Sequence, residues 1–371
     1  MRRPSMRTLG TLVFLVALSV AIWSQRTLVG DAVDELGTLS LLALGVLFVL
    51  AVYERWSRAD IVRRLLPSPL SWRAAFTVHD VGNAASKGLP MGGAVGTALR
   101  WAICRDASIA PRKLASMLVT YGIATTTATW ALALIATSFD MIGRPAEFFD
   151  VALVIVATAV ISVSWTVLIV TSRNDDMANK MAAVASWVWT RTAGRFERCR
   201  DQDPTSCAPE LRRDVRDFVC RPWGILGRTL GSQICGAVIL LVALRALGVG
   251  GELGVAEFLR VFFITHLFGS FAPTPGGVGV VEAGLTGALI AAGVDGPLAL
   301  AGVIIYRLAT YIAPIVVGAG LYAVWRARPF SSPPAPPIES AGPVVPVDGA
   351  AAPVIHGAPL PPPSPAIRPV A

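Results

Sequence analysis

The chain has 371 residues, 54% of them hydrophobic and only 15% charged, with a mean hydropathy of +0.62. Several apolar runs approach the roughly 20 residues that cross a bilayer, which excludes an ordinary water-soluble domain and predicts an all-α, polytopic membrane protein. The formal net charge of +8 would suggest nucleic acid in a soluble chain, but here the arginines stand in loops beside apolar spans, so nucleic acid is set aside.

Arg2, Arg3 and Arg7 precede an apolar run over Leu9–Trp23 that could pass for a signal peptide. More apolar residues follow the poor cleavage triplet Ser19-Val20-Ala21, so a retained first helix is the expectation. Six full spans are read at about 9–24, 36–53, 114–138, 148–170, 223–248 and 297–325. Two further regions, 76–103 and 258–293, are apolar but Gly-rich at their centres. Each is expected to be a re-entrant broken-helix hairpin that enters the membrane and returns.

Loop charges give an orientation. Arg2, Arg3 and Arg7 place the N-terminus inside, and the loop with Arg55, Arg58, Arg63, Arg64 and Arg73 is inside as well. Arg105, Arg112 and Lys113 follow the first broken region, so both its flanks lie on the inner side. The basic stretch 171–222 reads as a cytoplasmic loop, and its Trp187 and Trp189 suggest either a surface helix near anionic lipid or a soluble element. Glu252, Glu257 and Asp295 put both flanks of the second broken region outside, and Arg326 and Arg328 end the last span inside. Span, hairpin, span therefore occurs twice with opposite orientation, an inverted repeat of the kind that places a binding site near the midplane. Close packing of Gly-rich helices through small residues is the plainer alternative.

Residues 1–328 form the membrane domain in this reading. Residues 329–371 hold about half of the 27 prolines and are expected to be a disordered cytoplasmic tail. The five cysteines show no C-x-x-C pair, and no histidine or carboxylate cluster suggests a metal or cofactor.

The stretch Phe271-Ala272-Pro273-Thr274-Pro275-Gly276-Gly277-Val278-Gly279-Val280-Val281-Glu282 breaks the second hairpin. Its prolines remove backbone donors and its glycines cannot hold a helix. Broken backbone at membrane depth survives only where protein buries it or water reaches it, and an ionisable residue there is a functional candidate. Counting helical rise, Glu282 lies about 16 Å and Arg307 about 15 Å from the outer ends of their helices, so the two can pair. Arg307 can serve a phosphate through its guanidinium, or the pair can be purely structural. The helices that begin after Gly93 and Gly277 aim free N–H groups at the membrane interior from opposite sides. Asn83, Ser86 and Lys87 sit at the first break, with Lys87 expected to reach water or Asp80. Arg100 lies about 12 Å from Gly92 toward the inner headgroups, where it can snorkel. His79 and His266 enter the two hairpins at mirrored positions, either for proton coupling or packed against carbonyls. Arg228 and Arg245 flank the fifth span as interfacial anchors.

The break around Gly276, continued to Tyr306-Arg307-Leu308-Ala309-Thr310-Tyr311-Ile312-Ala313-Pro314, resembles the lysylphosphatidylglycerol synthase transmembrane-region family, whose members are flippase-like. Gly82-Asn83, Leu89-Pro90-Met91-Gly92-Gly93 and Arg100 extend the resemblance to the first half, and together it covers about residues 8–328. Ala94 and Val95 stand where the family carries an acid after the paired glycines. The resemblance implies a lipid cargo without fixing which one. Aminoacylating members carry a large soluble catalytic domain after the membrane part, which the Pro-rich tail cannot supply, so a non-enzyme is expected.

The candidate headgroup site then gathers Glu282, Arg307, Gly276, Gly277, Thr274 and Tyr306 with Asn83, Lys87, Gly92, Gly93 and Arg100. The expected function is translocation of an anionic phospholipid or polyprenyl-phosphate-linked lipid in a bacterial inner membrane, with both termini cytoplasmic. A non-catalytic partner of a lipid or glycan biosynthetic enzyme and a small-anion transporter are the alternatives. A second copy of the chain or such an enzyme remains open as partner.

Overall fold

A computed structural model describes residues 37, 39–66, 70–89, 92–191, 208–250, 253–269 and 275–330. The expected first span at 9–24, the tail beyond residue 330, Thr274, Cys199 and Cys207 lie outside the described residues. Among the described residues every regular element is helical, and the protein is an all-α, polytopic membrane protein.

Helix α1 spans Leu41–Leu65, started by Ser40, whose hydroxyl accepts the Ala43 N–H at 3.2 Å. The expected span ended at residue 53 with a basic loop behind it, and this is corrected: the helix runs three more turns. The i,i+4 pairs Glu54–Arg58 and Asp60–Arg64, 2.7 Å each, hold those charged turns helical. The helix stops at Leu66, forced extended by Pro67.

The first broken region begins with α2 (Trp72–Phe76), a π turn over Thr77–Val81 and α3 (Gly82–Gly88), one continuous rod. Leu89, before Pro90, is extended, and α4 (Gly92–Asp106) folds back against the rod. Small residues let the two backbones meet. A Cβ on Gly92 would strike the Ser86 and Ala85 carbonyls, and one on Gly96 would strike Ser86 Oγ and the Gly82 carbonyl. Gly93, one position on, faces open space. Gly92→Ala is therefore expected to lose up to about 3 kcal/mol by overpacking, while Gly93→Ala leaves stability unchanged or slightly raised. Thermal unfolding of the two purified variants in detergent checks the contrast.

Helix α5 (Pro111–Asp140) carries Pro111 in its first turn, and α6 (Phe148–Arg173) follows. The stretch read as the loop 171–222 is largely helical where described. Helix α7 (Asp175–Arg191) includes Trp187 and Trp189, and α8 (Ala208–Cys220) buries Leu211, Val215 and Phe218 against Ala124 and Leu168. These three lie on one face, four and three residues apart, which the charge count of the segment concealed. Asp214 on α8 ties it to α5 through Lys113 at 2.6 Å and Ser116 at 2.7 Å.

Helix α9 (Trp223–Ala246) packs along α1. Its Arg228, expected as an interfacial anchor, instead pairs with buried Asp60. Arg245 donates to the Val249 carbonyl at 3.1 Å and so closes the end of its own helix. The second broken region comprises α10 (Val255–Gly269), a 3₁₀ turn at Pro275–Gly277 and α11 (Val280–Ala291), with α10 packed against α11. Gly276, Gly277 and Gly279 have φ of 62°, 69° and 82°, left-handed values that glycine adopts without a Cβ clash. The last span joins α12 (Gly296–Arg307), a π turn over Leu308–Ile312 and α13 (Ala313–Ala327).

Among the described residues four helices are long and apolar enough to cross a membrane: Arg112–Asp140, Phe148–Arg173, Trp223–Ala246 and Gly296–Ala327. Leu41, Leu42 and Phe48 on α1 and Phe148, Ile155 and Val163 on α6 stay exposed, as a lipid-facing surface requires. The packing is reciprocal. The α2–α3 rod lies on α13, where Gly318 meets the Asp80 carbonyl and Ala84 Cβ, and α10 lies on α5. Each hairpin thus rests on the final span of the other half.

Candidate functional site

Pro314 organises the centre. It has no N–H, so the carbonyl four residues back, on Thr310, loses its helical donor. The helix widens there into the π turn Leu308–Ile312, with the Ala313 N–H bonded to the Leu308 carbonyl. Lys87, from the end of α3, supplies the missing donor: its Nζ reaches the Thr310 carbonyl at 2.8 Å. The Tyr311 hydroxyl returns the contact by donating to the Lys87 carbonyl at 3.0 Å, satisfying an orphan group of the last turn of α3.

The same turn also holds the tip of the second hairpin. Arg307 Nε donates to Glu282 Oε1 at 2.6 Å, and its terminal nitrogen donates to the Gly276 carbonyl at 3.2 Å. Its guanidinium lies 4.3 Å from the centre of the Tyr311 ring. The second carboxylate oxygen of Glu282 accepts the Gly279 N–H at 2.7 Å, a negative charge at the start of α11. Gly276 has to be glycine twice over, for its φ and because a Cβ would enter the Tyr311 ring. Both hairpin tips therefore meet on one widened turn of the last span.

Tyr306 is buried with its ring edge-on to Phe262 at 5.6 Å, and Phe262 stacks on His266 at 5.8 Å. His79 is buried in the first π turn, within electrostatic range of Arg55, Arg58, Lys87 and Arg100. Asn83 is half-buried on α3, Gly92 is locked between helices, Gly277 is buried in the tight turn and Gly93 is exposed, with open space where a Cβ would stand.

One expectation is corrected. Lys87 does not pair with Asp80, because Asp80 is taken by Arg55 of α1 at 3.4 Å. The Arg100 side chain lies against Gly82, which lacks the Cβ that would displace it. Arg100 forms no ion pair with a described residue.

The extension of α1 adds residues that sequence reasoning assigned to a loop or passed over. Glu54, Arg55 and Arg58 approach Lys87 closely enough to act on it electrostatically, as does Arg307. The signal for them was present in the Glu54-x-x-x-Arg58 spacing, which predicts helix rather than loop. Among the described residues no group of three metal-ligating side chains comes together.

No curated protein matches the chain. The family model described as the lysylphosphatidylglycerol synthase TM region matches residues 7–318, a stretch that contains both broken hairpins, Lys87, Glu282 and the π turn carrying Arg307. The chain belongs to that lipid-related family of membrane proteins.

Proposed function

We propose that this protein is a lipid translocator that binds an anionic headgroup where the two hairpin tips meet and passes it between leaflets while the acyl or prenyl tails stay in the bilayer. The observation that carries this reading is the convergence of Gly276, Glu282 and Lys87 on the single turn formed by Arg307, Thr310 and Tyr311. A solute passing between two halves meets both tips at such a place, and broken helices at membrane depth are how transporters expose backbone groups to cargo. The reciprocal packing supports an inverted repeat of α1, first hairpin, α5 and α9, second hairpin, last span. In this reading the first hairpin enters from the cytoplasm and the second from outside. Both termini, the helices α7 and α8 and the tail from residue 329 are cytoplasmic, and the membrane is the bacterial inner one.

The protein acts on lipid without chemistry. The matched stretch is a membrane region. Transfer runs downhill or is coupled to protons through His79 and His266, which lie close to the charged cluster from opposite hairpins. Reconstitution into liposomes with a labelled anionic lipid tests the reading. Glu282→Ala and Arg307→Ala are expected to slow transfer about tenfold or more while the protein still folds, a loss of about 1.4 kcal/mol or more. Full transfer by both folded variants would remove the assignment.

A further inference from the structure

We infer that the aromatic seam between α1 and α2 is the loading seat for the cargo: one anionic membrane lipid docks there from the leaflet assigned to the cytoplasm, its phosphate on Arg63 and its hydrocarbon on a row of rings. This rests on the lipid-translocation reading and adds the place where the lipid enters. Four rings run without a gap across the seam. Tyr53 stands 6.1 Å from Trp56, Trp56 stacks on Trp72 at 6.0 Å, and Trp72 lies 6.0 Å from Phe76, centroid to centroid. Tyr53, Trp56 and Trp72 remain 43%, 40% and 37% exposed, although each already lies against a neighbouring ring. The Arg63 guanidinium sits over the Trp72 ring at 4.6 Å. Arg63 is itself exposed and has no carboxylate among the described residues, so its N–H fork is open to a phosphate.

The row follows from spacing. Tyr53, Trp56 and Arg63 stand at i, i+3 and i+10, one face of α1, and Trp72 and Phe76 stand at i and i+4 on α2. The lipid-facing surface on the rest of α1 and on α6 is chiefly aliphatic, as at Leu42, Val49, Ile155 and Val163, and bulk lipid chains ask for no more than that. Stacked indoles add a polar edge to a flat apolar body, and among the described residues the Trp56 and Trp72 N–H groups have no acceptor. Such a surface fits a lipid at the depth where phosphate gives way to tails. An ordinary aromatic belt sets rings at the interface as separate anchors. This row instead joins α1 to the base of the first hairpin, and it leads inward. Arg55 adjoins Trp56 in the chain and lies about 12 Å from Arg63 along the helix axis. Its side chain holds Asp80, four residues beyond Phe76, at 3.4 Å. A headgroup leaving Arg63 therefore meets the charged cluster next.

The test reads the fluorescence of the seam itself. Full-length protein in phosphatidylcholine nanodiscs is titrated with phosphatidylglycerol or phosphatidylcholine carrying brominated chains, which quench an indole only on contact. Half-maximal quenching is expected at an about fivefold lower mole fraction of the brominated phosphatidylglycerol, the preference one arginine gives an anionic headgroup. The difference should vanish in Trp56→Phe with Trp72→Phe, which keeps the rings and removes the reporters. It should persist in Trp223→Phe, since Trp223 is 76% exposed at the start of α9 but stands outside the row. Arg63→Gln should erase the preference with both indoles in place. In liposomes, Arg63→Gln and the pair Trp56→Ala with Trp72→Ala should raise the lipid fraction needed for half-maximal transfer about fivefold and keep the maximal rate, as a loading defect does. Equal titration by the two lipids, or a preference that survives Arg63→Gln, overturns the seat while leaving translocation at the hairpin tips standing. Indoles that neither lipid quenches are covered by another segment of the chain or by a second copy, and the seat falls likewise. Selective quenching with unchanged transfer in the variants makes the lipid a fixed structural one and overturns loading. A wild type that transfers no lipid defeats the translocation reading and loading with it. Should the alanine pair not fold, Arg63→Gln carries the transfer test.

Discussion

Arg307→Met is expected to destabilise the protein by about 3–5 kcal/mol and to slow transfer about tenfold or more, since it leaves the largely buried Glu282 without its cation. Arg307 is only 6% exposed, so solvent cannot take over the role of the guanidinium. The same substitution releases the Gly276 carbonyl and the contact with Tyr311, so the left-handed turn Gly276-Gly277 loses its anchor on the last span. Arg307→Lys keeps the charge but not the fork, and is expected to hold Glu282 while failing to hold Gly276. The double variant Glu282→Gln with Arg307→Met is expected to recover a large part of the lost stability, because the buried charge is gone, yet to stay slow in transfer. Thermal unfolding in detergent gives the measurement: Cys104 and Cys235 are buried free thiols that a thiol-reactive dye reaches only on unfolding, against a constant signal from exposed Cys220. A fully active double variant would show that the ion pair serves packing alone.

The sequence made the second break plain because its cause is local. Prolines without N–H groups and glycines with left-handed freedom act where they stand, and helical rise alone put Glu282 and Arg307 at matching depth. The Nε–Oε1 distance of 2.6 Å is what that depth allows. What was not legible depends on partners distant in the chain. Pro314 announces that the Thr310 carbonyl lacks a donor, but nothing local says that Lys87, 223 residues away, provides one. The end of α1 was misplaced for a related reason: a count of arginines reads as a loop, whereas the i,i+4 pairs and the contact of Asp60 with Arg228 make the same residues a helix wall. Nor does anything local announce that the Arg100 side chain lies against Gly82, where the missing Cβ leaves room for it.

Arg260→Gln and Asp106→Ala are expected to open the protein in opposite directions. Each hairpin is latched to the end of the other half's final span. On the side assigned to the exterior, Arg260 of α10 pairs with Asp140 at 2.8 Å and Asp150 at 3.6 Å, and Arg144 shares both acids at 2.7 Å. On the side assigned to the cytoplasm, Asp106 at the end of α4 accepts from Trp325 Nε1 at 2.9 Å and the Phe330 N–H at 2.8 Å, while Arg73 donates to the Arg328 carbonyl at 2.6 Å. Both latches are closed here, and alternating access requires them to open in turn. Removing Arg260 lowers the cost of the outward-open form, and removing Asp106 lowers that of the inward-open form. Each ligand-free population should shift by the differential energy lost, about tenfold for about 1.4 kcal/mol. Gly93→Cys at the first tip, in a background with Cys199, Cys207 and Cys220 changed to Ser, reports the shift through a membrane-impermeant maleimide added to one side at a time. Labelling from outside should rise in Arg260→Gln and labelling from inside in Asp106→Ala. The exterior latch is built from charge pairs, so salt weakens it. Raising ionic strength should therefore imitate Arg260→Gln in the wild type and add little to that variant. Labelling that rises from the same side in both variants would mean that the latches are not opposed, and the exchange of partners between the halves would then be packing without motion.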